Sequence, residues 1–305
     1  MASPFTIVFY DKDSTHANQI ANACFNLADS LINIFSDYID NSELNQLSAC
    51  AGSGKFVPVS PALFKIMIES QRAYTLSNGA FDITLAPVIR LWRKARKEKQ
   101  FPTAQAIAEK MKSVGFNKVI IDTQMRSIKL TAKDMQLDLG GIAQGYIGQE
   151  VLERLYSYNV RKALVDVSGD IATGDPPFQK KGWTIAVNLP ESEHLQTRRL
   201  ALHNLSVSTS GDVYQYIEHS GKRYSHIIDP ATGYGITSQR NVTIIASNTM
   251  LADWLATACS ILPVKKAKKL AEKMHAEALI AELKNGKIVQ SITKNFSYFY
   301  FLDKQ

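Results

Sequence analysis

The order of the predicted elements indicates an α+β fold, built as a single large mixed domain with helices mainly N-terminal and antiparallel strands mainly C-terminal. A long segment at 15–35 repeats apolar residues at helical spacing, and strand-like segments dominate after residue 160. Near the C-terminus, an Asn-Gly turn at 284–287 separates two alternating runs, a pattern typical of a β-hairpin. No repeat or linker interrupts the 305 residues, so we expect one domain over 1–305.

Capping and breaking residues set the limits of the helices. Pro61 follows Ser60 at the start of one helix, which ends at Asn78-Gly79. Thr103 is expected to cap another helix. In chain order, helices are predicted at 15–35, 43–47, 61–77, 83–99, 103–114, 142–157, 249–261 and 265–275.

Short runs rich in β-branched and aromatic residues predict the strands. One further strand is expected to end at Asp138, and His226 is expected to lie on a strand. The strands are predicted at 5–10, 118–122, 128–131, 162–167, 183–188, 198–207, 212–218, 223–228 and 241–246, followed by the C-terminal hairpin and an FSYFYFL strand.

Composition places the chain among globular proteins and excludes several classes. Hydrophobic residues make up 45% and charged residues 21%, which excludes disorder as the main state. The formal charge of +7 suits an anionic ligand such as a nucleotide, but the basic stretch at 90–99 is interpreted as the solvated face of a helix rather than a nucleic-acid patch. The 3 cysteines include no CxxC pair, which disfavours a disulfide framework and a cysteine zinc site. No apolar run reaches the roughly 18 residues of a transmembrane helix.

Three glycine-containing segments are candidates for ligand contact. QLDLGGIAQGY (136–146) combines a glycine pair with the start of a helix, which favours phosphate binding and a tight turn about equally. VSTSGD (207–212) is a Ser/Thr-Gly loop that can bind phosphate, although a hydrogen-bonded turn is favoured. RYSHIIDPATG (223–233) places His226 beside a polar turn, where it is either a general base or a structural histidine.

Two further segments carry carboxylates in capping or ligating positions. In MLADWLATA (250–258), Asp253 and Thr257 are four residues apart and share one helix face. That pair suits a hard cation with oxygen ligands. A helix cap and a Thr bonded to its own helix are the favoured interpretation when the segment is taken alone. Asp82 follows a Gly-Ala-Phe turn and is expected to cap the next helix, a role compatible with ligand contact.

Taken together and in order, seven segments resemble the ApbE-type flavin transferases, the FAD:protein FMN transferases. The opening MASPFTI also looks like the start of the family's mature domain, so the resemblance covers nearly the whole chain. The segments are DYIDNSELNQLS (37–48), GAFDITLAP (79–87), LDLGGIAQGY (137–146), VDVSGDIATGD (165–175), STSGD (208–212), YSHIIDPATG (224–233) and ADWLATA (252–258).

The resemblance implies a fold, a reaction and partners. The implied fold is a mixed α+β domain of the ApbE-like type, with two lobes and the FAD site between them. The implied reaction is the magnesium-dependent transfer of FMN from FAD to a Thr or Ser hydroxyl of an acceptor flavoprotein, with release of AMP. The acceptor would be a membrane redox-pump subunit or a related electron carrier, and no nucleic acid is implied.

The resemblance also implies roles for residues that match the family's motifs. The side chains of Asp253 and Thr257 and the backbone carbonyl of Gly141 would hold the metal. His226 would lie near the pyrophosphate as the catalytic base. The residues implied to line the FAD site are Met1, Tyr38, Ala80, Phe81, Asp82, Asp138, Gln144, Thr209, Ser210, Gly211, His226 and Thr232.

The chain departs from the family pattern at two places. Gln144 stands where the family often has Lys, so a hydrogen-bonding amide replaces a point charge. No lipoprotein signal precedes the first strand. Family members usually work outside the cytoplasmic membrane. We therefore expect a periplasmic or outer-face lipoprotein if a signal segment was removed, and a cytoplasmic protein otherwise.

Two alternative functions use the same implied site. An FAD pyrophosphatase would replace the acceptor hydroxyl with water and give FMN and AMP. A non-catalytic FAD-binding protein would hold the dinucleotide without turnover, and Gln144 is the feature that keeps this alternative open.

Overall fold

The fold is described from a computed structural model that covers residues 4–190, 195–211, 215–284 and 286–300. The α+β class is confirmed, since helices dominate the N-terminal half and an antiparallel sheet the C-terminal half. The helices are α1 (Ser14–Phe35), α2 (Glu43–Ala49), α3 (Pro61–Leu76), α4 (Ala86–Glu98), α5 (Ala104–Met111), α6 (Ala143–Ser157), α7 (Thr249–Ile261) and α8 (Val264–Lys273).

Most predicted strands are present with small differences in their limits, but β2 and β6 were not predicted and β9 covers a segment predicted mostly as a loop. They are β1 (Phe5–Phe9), β2 (Val57–Pro58), β3 (Val119–Asp122), β4 (Ser127–Leu130), β5 (Ala163–Val167), β6 (Asp170–Thr173), β7 (Trp183–Pro190), β8 (Leu195–Leu202), β9 (Ser206–Gly211), β10 (Tyr216–His219), β11 (Lys222–Ser225), β12 (Arg240–Ala246), β13 (Glu277–Lys284) and β14 (Lys287–Ile292).

The chain forms two compact units, which are described separately. Unit 1 comprises Met1–Ser30, Ile142–Val213 and Ser238–Gln305, and unit 2 comprises Leu31–Gly141 and Tyr214–Thr237. Among the described residues, no helix is long and apolar enough to cross a membrane.

Unit 1 is built on a seven-stranded antiparallel sheet in the order β1-β5-β6-β9-β12-β13-β14. Helices α6 and α7 pack against each other and against this sheet. The β7-β8 hairpin packs against this sheet in an apolar cluster, so the hairpin buries part of the sheet in addition to the helices. That cluster includes Ile185, Leu200, Val207, Ile245 and Leu279.

Arg240 connects the end of α7 to the sheet of unit 1. Its guanidinium donates to the carbonyl oxygens of Leu262 (2.6 Å) and Cys259 (3.1 Å), which lie at the C-terminal end of the helix. The same guanidinium forms a buried ion pair with Glu282 on β13. These contacts satisfy carbonyl groups that a helix end leaves without intrahelical donors, and they fix α7 against the sheet.

Unit 2 contains a three-stranded sheet in the order β2-β4-β3 and a separate β10-β11 hairpin. Trp92 of α4 is fully buried in its apolar core beside Val88 and Ile107. The Trp92 indole donates to the carbonyl oxygen of Gly233 at 2.9 Å, which holds the turn after β11 against α4.

Two predictions of secondary structure are wrong: one segment predicted as a loop is a strand, and one predicted as a strand is irregular. The VSTSGD segment, predicted as a loop, is mostly strand β9, because its neighbours β6 and β12 supply hydrogen bonds on both sides. Asp212 of that segment lies outside the described residues. Residues 136–138, predicted as the end of a strand, are irregular: the Asp138 N–H donates to the Ile83 carbonyl (2.8 Å) rather than to a neighbouring strand.

Three smaller predictions are also wrong. The predicted strand at 198–207 is interrupted at 203–205, between β8 and β9. His226 lies in a bend just after β11 rather than on a strand. Phe296–Phe299 forms a 3₁₀ helix in place of the expected strand, and the end of that segment lies outside the described residues.

Gly145 sets how closely α6 and α7 approach. A Cβ atom at this position would lie 2.8 Å from Met250 Cα and 2.8 Å from Asp253 Cβ. Carbon atoms that are not bonded prefer about 3.5–4.0 Å. The absence of a side chain at 145 is therefore required for the observed helix packing.

We expect Gly145→Ala to lower the free energy of unfolding by about 1–3 kcal/mol, because overpacking against a helix backbone outweighs the ~1 kcal/mol gain in helix propensity. Denaturant unfolding measures this change. Gly148→Ala on the same helix is the control, since the closest neighbour of its methyl would be the Val167 Cγ2 methyl at 3.2 Å, a side-chain end rather than a helix backbone. Equal stability of the two variants would contradict the packing argument.

Candidate functional site

Asp253 is buried in unit 1, where α7 meets the first turn of α6. Its Oδ2 accepts a hydrogen bond from the Gly145 N–H at 3.0 Å. The N-cap residue of α6, Ile142, provides no side-chain cap, so the Asp253 carboxylate takes this role from α7 and meets the positive end of the helix dipole. Asp253 does not cap its own helix, because Asn248 accepts the Leu251 N–H at 2.9 Å in that role.

Thr257 lies four residues after Asp253 on α7 and is partly exposed, whereas Asp253 is 6% exposed. A helix places residues four apart on the same face, so the hydroxyl and the carboxylate project in one direction. Gln144 is also partly exposed and lies in the first turn of α6. The structure thus places these three predicted residues on neighbouring helices of unit 1.

A second carboxyl group, that of Asp170 on β6, is electrostatically coupled to Asp253. Burial raises the pKa of Asp170 to about 7, the Ser208 hydroxyl opposes this shift, and Asp166 adds to it. Burial also raises the pKa of Asp253 well above its usual range, and the charge of Asp170 raises it further. Buried carboxyl groups whose ionisation is disfavoured by burial and by a neighbouring carboxylate are a favourable environment for a divalent cation.

The register of β9 separates the predicted residues Thr209 and Ser210. Alternate residues of a strand face opposite sides of the sheet. Ser206 bonds Thr249 of α7 through their hydroxyls at 2.9 Å, so Ser206, Ser208 and Ser210 face the helix side. Thr209 faces away and bonds the Thr243 hydroxyl at 2.9 Å.

Gly211 ends β9 and pairs with Asn241 of β12. A Cβ atom at this position would overlap the Asn241 side-chain oxygen. Glycine is therefore required here by a cross-strand contact. This packing requirement is sufficient to explain the glycine without a ligand contact.

In unit 2, Asp138 orients the glycine bend that follows it. Its Oδ1 accepts the Gly140 N–H at 2.7 Å, and its Oδ2 accepts a hydrogen bond from Arg93 at 2.8 Å. Burial raises the pKa of Asp138, Arg93 opposes that shift, and Asp37 adds to it. Gly141, the predicted carbonyl ligand, is the next residue of this bend and the last of unit 2.

Tyr38 is an exposed residue of unit 2, with 76% of its surface accessible. The Arg93 guanidinium lies over its ring at 4.6 Å from the centroid. Its own loop is held by Asn45, whose side-chain amide donates to the carbonyl oxygens of Asp37 (3.2 Å) and Ile39 (2.9 Å). The exposed ring is therefore carried on a well-anchored loop.

Ala80, Phe81 and Asp82 are buried, between 4% and 9% exposed. Asp82 caps the short helix after it, as predicted: its Oδ1 accepts from the Thr84 N–H (2.8 Å) and the Thr84 hydroxyl (2.7 Å). Burial raises the pKa of Asp82, and these hydrogen bonds oppose the shift. The carboxylate is thus engaged within its own segment.

His226 is partly buried after β11 in unit 2. Its Nδ1 lies 3.3 Å from the Gln215 carbonyl oxygen, so a proton on Nδ1 leaves Nε2 as an acceptor. Burial lowers the pKa of His226, the Gln215 carbonyl opposes this shift, and Arg96 and Arg93 add to it. A neutral imidazole near pH 7 is the form that a general base requires.

The turn after His226 is held by local hydrogen bonds. Asp229 accepts the Gly233 N–H on its carbonyl (2.8 Å) and the Ala231 N–H on its side chain (2.9 Å). Thr232 is exposed, and its hydroxyl accepts the Tyr234 N–H at 3.3 Å. These hydrogen bonds within the segment hold the turn at 229–234 in one conformation.

Comparisons with known proteins identify the family. The model of the ApbE family matches residues 1–280 of this chain. The chain belongs to the ApbE family. The resemblance that its motifs indicate is confirmed.

Relatives and solved structures agree with this family. An FAD:protein FMN transferase of Haemophilus influenzae is 32% identical over 265 residues, which covers 84% of this chain and 76% of that protein. One of Klebsiella pneumoniae is 28% identical over 294 residues, with coverage of 95% and 89%. The crystal structure of Pseudomonas stutzeri flavinyl transferase ApbE, apo form, superposes with a TM-score of 0.87 at 28% identity, covering 98% of this chain and 94% of that one. The flavin transferase ApbE from Vibrio cholerae gives a TM-score of 0.88 at 23% identity, covering 98% and 96%.

Sequence reasoning assigned no role to Asp170, Ser208 or Arg93. Asp170 lies in VDVSGDIATGD, one of the segments that carry the family resemblance, and this is the sequence signal that could have identified it, whereas its burial is visible only in the structure. Arg93 belongs to the basic stretch interpreted as a solvated helix face. That interpretation holds for exposed Lys94 and Lys97 but is wrong for Arg93, which bonds buried carboxylates.

The described residues contain no group of three or more His, Cys, Asp and Glu side chains arranged to hold a metal. A cation in unit 1 would therefore rely on the two carboxylates together with neutral oxygen atoms. Met1, a predicted FAD contact, lies outside the described residues.

We expect Asp170→Asn to stabilise the protein at alkaline pH when divalent cations are chelated. Burial raises the folded-state pKa of Asp170 to about 7, so the folded state favours the protonated carboxyl group. The stability of the folded state that depends on this protonation is fully present below the unfolded pKa near 3.8 and is lost as the pH rises through 7. The variant should melt about 2 °C or more above the wild type at pH 8 in EDTA, and the difference should shrink at pH 5.

Thermal unfolding followed by circular dichroism at both pH values measures this difference. Asp175→Asn is the control, since hydrogen bonding to Asn204 lowers its pKa and it stays ionised across this range. Parallel pH profiles of the wild type and Asp170→Asn would contradict the assignment of a raised pKa.

Proposed function

We propose that the protein is an FAD:protein FMN transferase that moves FMN from FAD to a Thr or Ser hydroxyl of an acceptor flavoprotein and releases AMP. The observation that carries this proposal is the buried Asp253 carboxylate at the N-terminus of α6, in a chain of the ApbE family. The names of the H. influenzae and K. pneumoniae relatives support the same activity.

The donors in unit 1 fit a divalent cation such as Mg²⁺. Hard cations prefer oxygen ligands, and Asp253, Thr257 and Asp170 offer two carboxylates and a hydroxyl. Burial and, after it, a neighbouring carboxyl group raise the pKa of both Asp170 and Asp253, and a bound cation would compensate the charge of their ionised forms. The resemblance assigns Asp253, Thr257 and the Gly141 carbonyl as ligands, and the coupling to Asp253 supports a role for Asp170 as well. When bound, the cation would neutralise the pyrophosphate and stabilise the leaving AMP.

His226 is the residue that we assign as the general base. Its Nε2 would accept the proton of the acceptor hydroxyl as the oxygen bonds to the FMN phosphorus and the bond to the AMP oxygen breaks. A neutral imidazole can accept this proton, and the lowered pKa of His226 keeps the ring neutral near pH 7.

The remaining predicted residues would bind FAD rather than react. Tyr38 offers an exposed ring for stacking on a flat heterocycle. The N-terminus of α6, where the N-cap residue provides no side-chain cap and Gln144 lies in the first turn, suits a phosphate. The placement of the FAD site between two lobes stays a prediction, as do the roles of Met1, Ala80, Phe81, Asp82 and Thr232.

The acceptor and the cellular location are also proposals. The resemblance supports an acceptor such as a membrane redox-pump subunit or a related electron carrier, and work at the outer face of the cytoplasmic membrane. The test of the reaction class is mass spectrometry of a candidate acceptor incubated with the protein, FAD and Mg²⁺. A mass gain equal to FMN supports transfer, whereas rapid AMP release without an acceptor favours the pyrophosphatase alternative.

We expect Asp253→Asn to lower the transfer rate by at least about 10²-fold, because it removes a charge that holds the cation while preserving an acceptor for the Gly145 N–H. Gel fluorescence of the flavin on denatured acceptor measures the rate. Asp175→Asn, a partly exposed site in unit 1, is the control. Wild-type turnover in Asp253→Asn would exclude the metal assignment.

We expect His226→Ala to keep FAD affinity and to lower the single-turnover transfer rate by about 10²–10⁴-fold, the range for loss of a general base. FAD affinity is measured by titration calorimetry and the rate by rapid quench. His219→Ala is the matched control, because His219 lies on the neighbouring β10 and stacks on Phe101. An unchanged rate in His226→Ala would remove the residue from the base role.

A further inference from the structure

Arg93 of α4 contacts two separate loops of unit 2 through different parts of one guanidinium. Its Nη1 forms an ion pair with Asp37 of the loop that precedes α2. Its Nη2 bonds Asp138 at 2.8 Å in the segment before the bend at 140–141. The central carbon of the guanidinium lies over the Tyr38 ring, 4.6 Å from the centroid.

These three contacts require a guanidinium. A planar fork can direct two N–H groups to two carboxylates and still present a face to an aromatic ring. A lysine ammonium in the same place is a point charge, which cannot bridge both carboxylates and stack at once. Arg93 is itself 27% exposed in its side chain, while the side chains of Asp37 and Asp138 are 9% and 7% exposed.

The first contact orients Tyr38. Tyr38 as a residue is 76% exposed, and Arg93 lies over one face of its ring, so the other face is the one available to a ligand. Asp37, the adjacent residue, is held both by Arg93 and by a hydrogen bond from Arg90 to its carbonyl at 3.4 Å. The loop therefore has little freedom to turn the ring elsewhere.

The second contact orients the glycine bend. Arg93 holds one oxygen of Asp138, and the other oxygen of Asp138 accepts the Gly140 N–H at 2.7 Å. Gly141 follows directly, and its carbonyl is the ligand that the proposed function assigns to the cation. A single side chain thus connects the stacking ring to the bend.

We propose that Arg93 is a positioning residue for FAD, which sets Tyr38 and the bend at 140–141 in a fixed mutual arrangement. The inference rests on the proposed function, because it takes FAD and a divalent cation as the ligands that these two elements meet. The competing explanation is that Arg93 only neutralises two buried carboxylates and so stabilises unit 2.

The test compares Arg93→Lys with Arg72→Met, an exposed control in unit 2 whose ion pair with Glu69 is worth little. FAD affinity is titrated by flavin fluorescence at several Mg²⁺ concentrations without acceptor, and melting temperature is measured in parallel. We expect Arg93→Lys to weaken FAD binding by about tenfold and to raise the Mg²⁺ concentration needed for half-maximal FAD binding. Its melting temperature should stay within about 3 °C of the wild type.

Asp37→Asn separates the two arms, because it removes the Tyr38-side ion pair and leaves the Asp138 contact. Asp37→Asn should weaken FAD binding while the Mg²⁺ concentration needed for half-maximal FAD binding stays at the wild-type value. If Arg93 only stabilised unit 2, the variant would not change one quantity without the other. If Arg93→Lys does not fold, Arg93→Gln and Asp37→Asn carry the same comparison.

Two results would overturn the inference while the proposed function stands: wild-type FAD affinity and Mg²⁺ requirement in Arg93→Lys, or identical shifts in both quantities for Arg93→Lys and Asp37→Asn. A wild-type protein that neither binds FAD nor modifies an acceptor would instead defeat the proposed function, whatever Arg93 does.

Discussion

The close approach of α6 and α7 at Gly145 is the constraint on which the unit 1 site depends. A side chain at 145 would push α7 away, and the Asp253 carboxylate would lose the N–H at the start of α6. A buried carboxylate without a donor carries a large desolvation cost, and the helix N-terminus reduces it. At the other end of α7, Arg240 bonds the terminal carbonyls and Glu282, so the helix is held at both ends.

The two units bury carboxylates in different electrostatic settings. In unit 2, Arg93 bonds both Asp37 and Asp138, so the negative charge has a basic partner within the fold. In unit 1, burial dominates at Asp170 and Asp253, and neighbouring carboxylates raise their pKa values further. A cation therefore has more to gain at the unit 1 pair, whereas the unit 2 carboxylates serve as anchors for a ring and a bend.

Most elements followed from sequence because they depend on local periodicity and capping. The spacing of apolar residues in α1, the Ser60-Pro61 start of α3 and the Thr103 cap of α5 are all properties of short stretches. The wrong secondary-structure predictions have a different cause, which is contact with segments distant in the chain. Serine, threonine and glycine in β9 resemble a loop, but β6 and β12 on either side make this segment a central strand. In the same way, the predicted strand before Asp138 is irregular because its N–H groups bond to other segments, including the Ile83 carbonyl.

The sequence alone determined the family, the α+β class and the shared helix face of Asp253 and Thr257, since motif order and a spacing of four residues are visible in one chain. Tertiary structure alone decided that Asp170 couples to Asp253, that Ser208 rather than Thr209 faces the helices, and that Arg93 joins Tyr38 to Asp138. Those relations connect residues far apart in the chain. They arise from sheet register and helix packing, which local patterns do not encode.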